Sequence, residues 1–296
     1  MNRMQRAGVN RTSGVADSVA AFPTDRAKTA NDIESFQILG VRVHVIEMEE
    51  TIQCLHNWIT DHQARNRFVA VTSMHGVAVA RQDPAFRRVL NSADLVVADG
   101  TPLVWIGRIK GHRFRHRVSG CDLVDKFCRE SGGLYRHFFY GGIPGAAEQL
   151  ANTLQRKFGI RIAGTYCPPF RPLTAAEESE LGAAVERAAP DVLWVGLSTP
   201  KQEKWMHQQL GKLRVPLMLG VGAAFDLNSG NVRRAPAWMC EHGLEWLFRL
   251  AAEPRRLWRR YLVTIPQALG FVVFDLMGLG KSGVAEGGAG EVEHSS

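Results

Sequence analysis

Residues 67–99 read RFVAVTSMHGVAVARQDPAFRRVLNSADLVVAD, and the fold is decided in this stretch. Two short apolar runs, RFVAVTS at 67–73 and LVVAD at 95–99, flank a segment with helical spacing over 76–91. Neither run alternates polar with apolar residues, so each strand should be covered on both faces. Strand, helix and second strand make a βαβ unit, whose strands pair in parallel through a right-handed crossover.

The alternation continues on both sides. Further candidate strands lie at 42–48, 137–142, 160–166, 192–197 and 216–222, and helical spacing recurs at 49–64, 122–132, 144–158, 175–189 and 200–212. The pattern predicts an α/β fold: a Rossmann-like, mostly parallel sheet with helices on both faces. After Asp226 it changes, and 236–280 carries helix signals only, interrupted by Pro254 and Pro266. The expected division is a leader over 1–35, a catalytic core over 36–232, a basic, membrane-proximal helical appendage over 233–281 and a tail over 282–296. The leader has no apolar core of a signal peptide and the tail is of low complexity, so both are expected to be disordered.

The net charge is +7 and the pI about 9.4, which calls for an anionic partner without choosing among nucleic acid, phosphorylated substrate and membrane. The five cysteines form no CxxC pair, which argues against a zinc site or a disulfide framework and for reduced thiols in a cytosol. No run reaches the roughly 18 apolar residues of a spanning helix. The nearest, 261–280, contains Pro266 and Asp275. DLMGLGKS at 275–282 imitates the end of a P-loop but has Asp275 in place of the first glycine and no strand before it.

In an open parallel sheet, ligands sit beyond the carboxyl ends of the strands. Those ends are rich in small, hydroxyl and acidic residues: Thr72 and Ser73, Asp99 and Gly100, Gly141 and Gly142, Ser198 to Glu203, and GVGAAFD at 220–226. Each turn alone is also ordinary cap chemistry, and together they mark a ligand edge. Gly141 and Gly142, followed by Pro144, would let an anion approach a helix N-terminus. Asp99 ends a buried strand and could take a proton from a hydroxyl, or it could cap the helix beginning near 102. No Asp-x-Asp pair occurs, so a diphosphate would be held by cations or helix ends. Candidate cations crowd EWLFRLAAEPRRLWRRYL at 245–262, where Arg249, Arg255, Arg256, Arg259 and Arg260 alternate with apolar residues. They could form a solvated face, a diphosphate clamp or an anchor on anionic lipid.

Four blocks resemble the WecG/TagA/CpsF glycosyltransferases: 71–105, RVSGCDL at 117–123, STPKQEKWM at 198–206, and 220–262. The resemblance implies an inverting, metal-independent transferase without cofactor. It would move a sugar from a UDP-sugar donor to a saccharide on a polyprenyl diphosphate, in capsule, exopolysaccharide or cell-wall polymer synthesis. It makes Asp99 the base and sets Arg117 near the reacting sugar. Thr72 heads the first block, Gln202 and Asp226 lie toward the nucleoside, Arg249, Arg256 and Arg259 lie toward the diphosphate, and Ser73, Gly100 and Glu203 are expected with them among the substrate-binding residues. The chain departs from the family in having Ser73-Met74 where many members carry an asparagine. The enzyme would act in the cytoplasm, peripherally bound to the inner face of the membrane, with a homo-oligomer left open. The alternative on the same fold is a nicotinamide-dependent oxidoreductase, which lacks its strand-end acidic residue here. Nucleic-acid binding ranks low, because the arginines are local.

Overall fold

A computed structural model of the protein describes residues 32–61, 66–230 and 232–277. The leader up to 31 and the tail from 278 lie outside them.

Six strands form one parallel sheet: β3 (Arg67–Thr72), β4 (Leu95–Ala98), β5 (Arg136–Gly141), β6 (Arg161–Tyr166), β7 (Val192–Gly196) and β8 (Leu217–Gly220). Their spatial order is β4-β3-β8-β7-β5-β6. The four residues of β4 and of β8 are all buried, as their unbroken apolar runs require. One face packs on α2 (Met74–Gln82), α3 (Pro84–Asn91), α7 (Ala175–Ala188) and α8 (Lys201–Gln209), through residues such as Val77, Phe86, Val185 and Met206. The other packs on α1 (Met48–Thr60), α5 (Gly120–Ser131), α6 (Ala146–Phe158) and α9 (Ala224–Asn228), through Leu55, Phe127, Leu150 and Phe225. The parallel sheet and two-sided cover expected from the sequence are present.

Two local readings change. The segment expected as a strand at 42–48 is not in the parallel sheet. Its first part is β2 (Val41–His44), which pairs antiparallel with β1 (Ser35–Ile38) around Leu39 and Gly40, both at positive φ (50° and 81°). Such turns match the twist of a two-stranded ribbon. The helix expected over 76–91 breaks at Asp83, whose Oδ1 accepts from the Phe86 amide at 2.9 Å, while Pro84 opens α3.

The hairpin guards an edge. Among the described residues β4 has no sheet neighbour beyond it, and His44 Nδ1 accepts the Val96 amide at 3.0 Å. Burial pushes the His44 ring down to about 4, which keeps it neutral and able to accept. Two more buried histidines are held neutral in the same way: His137 Nδ1 accepts the Trp194 indole N–H at 3.0 Å, and His56 Nδ1 lies 2.9 Å from the Tyr135 hydroxyl.

The chain then leaves the sheet as helices: α10 (Ala237–Glu241), α11 (Glu245–Ala252), α12 (Pro254–Arg259) and α13 (Ile265–Leu276). Between α12 and α13, Arg260–Thr264 widens into a π-turn, with the Ile265 amide reaching back to the Arg260 carbonyl. Pro266 explains the widening. It has no N–H for the Leu262 carbonyl, and its ring would clash there in a regular helix. α13 returns to the sheet domain through buried Ala268 and Val272.

Candidate active site

The carboxyl ends of β3, β4, β7 and β8 and the C-terminal helices enclose a cavity of about 420 Å³. The sheet side supplies Ser73, Asp99, Ser198, Thr199 and Gly222, and α5 supplies Gly120 and Cys121. The facing wall is Glu245, Arg249, Arg256, Leu257, Arg259, Arg260 and Thr264. Residues about 150 positions apart in sequence thus meet across one space.

Asp99 is fixed by its backbone. Its amide donates to the Thr72 carbonyl at 2.6 Å, continuing the β3–β4 ladder. The Val118 amide donates to the Ala98 carbonyl at 2.9 Å, which lays Arg117 alongside. Arg117 then bridges two acids, with Glu245 Oε2 at 2.7 Å and Asp99 Oδ1 at 3.9 Å. The Asp99 side chain is 35% exposed, and it lines the cavity. Removal from bulk water pushes its carboxyl up to about 6, against the pull of Arg117, and Glu245 adds to the rise. A carboxylate in that range is ionised at neutral pH yet more basic than an ordinary one.

Gln202, at the start of α8, lines the cavity with its Oε1 left without a partner. Beneath it Glu203 accepts from Thr199 Oγ1 at 2.8 Å and from Gln202 Nε2 at 3.1 Å. Glu203 is fully buried, its carboxyl raised by desolvation, and it orients both residues from below without reaching the cavity. Asp226 faces the cavity beside Arg256 and Arg249, with Oδ1 unpartnered and its carboxyl raised by burial.

Six expected residues lie off the cavity wall: Arg117 and Glu203, which act through their neighbours, and Thr72, Gly100, Gly141 and Gly142. Thr72 is fully buried, with its Oγ1 lacking a partner under Gly76. Gly141 and Gly142 serve packing: a Cβ on Gly141 would stand 2.6 Å from the Gly196 carbonyl oxygen, and one on Gly142 2.8 Å from the Ala146 Cβ. Gly100, at φ 126°, turns the chain from Asp99 into α4 (Thr101–Ile109). Conversely, the site set read from the sequence leaves out Arg260, His75 and Glu245, all on the wall. The i, i+4 spacing of Arg256 and Arg260 was the available signal for the first. Among the described residues, no group of three or more His, Cys, Asp or Glu side chains is disposed to hold a metal.

A parallel sheet with a raised carboxyl and an arginine wall facing each other at its carboxyl edge places the site where open α/β folds bind their ligands. Residues 36–282 match the Glycosyl transferase WecG/TagA/CpsF family, and the chain belongs to that family and is a glycosyltransferase. The nicotinamide alternative is thereby set aside. Among its relatives is the N-acetylglucosaminyldiphosphoundecaprenol N-acetyl-beta-D-mannosaminyltransferase of Bacillus spizizenii, 30% identical over 207 residues, or 69% of this chain and 78% of that protein. The enzyme of the same name from Bacillus subtilis is 30% identical over 190 residues, 64% of this chain and 72% of the relative. That from Staphylococcus aureus strain MRSA252 is 24% identical over 242 residues, 82% of this chain and 92% of the relative.

No described helix is long and apolar enough to cross a membrane. Leu262, Val263, Phe271, Val273, Phe274, Leu276 and Met277 nevertheless expose apolar surface along the π-turn and α13.

Proposed function

We propose that the enzyme transfers a sugar from a UDP-sugar to a saccharide carried on a polyprenyl diphosphate, with inversion and without a metal ion. The observation that carries this reading is Asp99 facing Arg249, Arg256 and Arg259 across one cavity. Asp99 takes the proton of the acceptor hydroxyl. The oxygen attacks the anomeric carbon opposite the leaving group, the bond to UDP breaks, and configuration inverts. The arginines meet the charge that develops on the departing diphosphate, the role a metal fills elsewhere. Arg117, held by Glu245, keeps the base in place. Gln202 and Asp226, with unpartnered oxygens, suit the hydrogen-bond donors of a nucleoside.

The acceptor class is supported by the relatives' names. A lipid-borne acceptor also gives the exposed apolar residues of the π-turn and α13 a use, as a peripheral contact with the inner face of the cytoplasmic membrane. The test is a panel of UDP-sugars with N-acetylglucosaminyldiphosphoundecaprenol, run in EDTA. The expected result is transfer from one donor, with an anomeric configuration opposite to the donor's. Absence of transfer from every UDP-sugar, or activity only after Mg²⁺ or Mn²⁺ is restored, refutes the proposal.

A further inference from the structure

Arg260 sits on the cavity wall in the π-turn, and nothing in the reading above uses it. The only hydrogen bond of its side chain among the described residues is from Nη2 to Ser73 Oγ, at 3.1 Å. Its Nε is buried without a partner, and no carboxylate pairs with it among the described residues. Desolvation is the first cause of its lowered pKa, and the nearby charges of Arg249 and Arg256 act the same way. A cation so placed is costly to bury unless an anion completes it.

His75 lies on the same wall, on the first turn of α2, with its Nδ1 buried and unpartnered. Burial and the charge of Arg260 drive its ring down to about 4. At neutral pH it is a neutral ring with a hydrogen-bonding nitrogen to offer. Ser73, Arg260 and His75 thus form one cluster at the α2 and π-turn side of the cavity, with Arg260 Nε and His75 Nδ1 left without partners.

The position of the cluster indicates which anion it serves. Arg260 is close enough to Asp99 to act on its carboxyl. Two and three residues further on, Leu262 and Val263 are 58% and 39% exposed. The π-turn therefore carries the chain from the reaction centre to exposed apolar surface. A lipid-linked acceptor has the same sequence of parts: reacting hydroxyl, sugar ring, diphosphate, hydrocarbon. Donor and acceptor each bring a diphosphate, and Arg249, Arg256 and Arg259 are assigned to the donor's.

We propose that Arg260, with Ser73 and His75, forms a second diphosphate subsite, which receives the diphosphate of the polyprenyl-linked acceptor. This rests on the acceptor class proposed above and adds a residue-level division between two anions in one cavity.

The test is equilibrium binding by calorimetry of farnesyl diphosphate and, separately, of UDP, to the wild type and to Arg260→Met. Met keeps much of the side-chain length, and apolar replacement of a buried charge is generally tolerated. Equal melting temperatures establish that the variant is folded, and His75→Asn provides a milder second variant. The expected result is a loss of about tenfold or more in farnesyl diphosphate affinity, the scale of a charge-assisted hydrogen bond, with UDP affinity kept within about twofold. His75→Asn should shift in the same direction by less. Equal losses for both ligands would assign Arg260 to the donor clamp and overturn the proposal, as would unchanged farnesyl diphosphate binding or a wild type that binds none. Transfer is a separate readout. A wild type that binds farnesyl diphosphate through Arg260 but transfers no UDP-sugar refutes the enzymatic proposal and leaves the subsite standing.

Discussion

Replacing Asp99 by Asn should cost activity and increase stability, and the two effects should have different pH dependences. The folded carboxyl is raised to about 6 from an ordinary 3.8. The folded state therefore holds the proton more tightly than the unfolded state. Between these two pH values, rising pH removes stability from the wild type, and above about 6 the penalty is complete. Two pH units correspond to about 3 kcal/mol. The side chain is 35% exposed to the cavity, so screening by water reduces this to about 1–2 kcal/mol. The variant escapes the penalty. In urea unfolding it should be more stable than the wild type by about 1–2 kcal/mol at pH 8, by about half that at pH 5, and its melting temperature at pH 8 should be a few degrees higher. Turnover at pH 8 should fall by about 10²–10⁴, with UDP affinity kept. Wild-type kcat/KM should decline with falling pH below about 6. If the Asp99→Asn variant and the wild type turn over equally, Asp99 is not the base. If activity is lost but the stability difference does not vary with pH, the carboxyl is not raised and the desolvation argument fails.

Glu245→Gln weakens the 2.7 Å pair that holds Arg117, so kcat should drop about tenfold while UDP affinity in calorimetry stays unchanged. Gly141→Ala forces a Cβ to within 2.6 Å of the Gly196 carbonyl oxygen at φ 125°, and chemical denaturation should reveal a loss of about 2–4 kcal/mol. Leu262→Asp combined with Phe274→Asp introduces charge into exposed apolar surface. Co-sedimentation with anionic vesicles should then fall several-fold at an unaltered melting temperature, and undiminished pelleting would refute the peripheral contact.

The strands β3 and β4 were legible because cover on both faces leaves no room for polar residues. Val69 to Val71 and Leu95 to Ala98 are all buried, and their sequence had no other economical reading. Asp99 was legible by position, as the first polar residue past such a strand. The β1–β2 hairpin was not, because its four-residue strands are short and only partly apolar, and its first residues merge into the leader. Gly141 illustrates a signal with two meanings. Glycine at a strand end permits close approach, but the sequence does not say of what, and here the neighbour is Gly196 of the next strand. Arg260 was visible in the basic cluster, yet its place depends on a π-turn set by a proline six residues downstream. Regular helical spacing cannot anticipate that local widening.

The neutral histidines described in the fold carry a consequence for the whole molecule. His44, His56 and His137 are almost fully buried and are held at about 4, against 6.5 for a free ring. Below about 6.5 the unfolded chain takes up protons that the native structure refuses, so stability falls as the solution acidifies toward 4. Each ring contributes up to about 3 kcal/mol to that decline, most of it only as the pH nears 4. The rings thus work against the fold in acid while the raised carboxyls of Asp94, Asp99, Glu203 and Asp226 work for it, and protonation of His44 takes away the acceptor of the Val96 amide at the edge of the sheet.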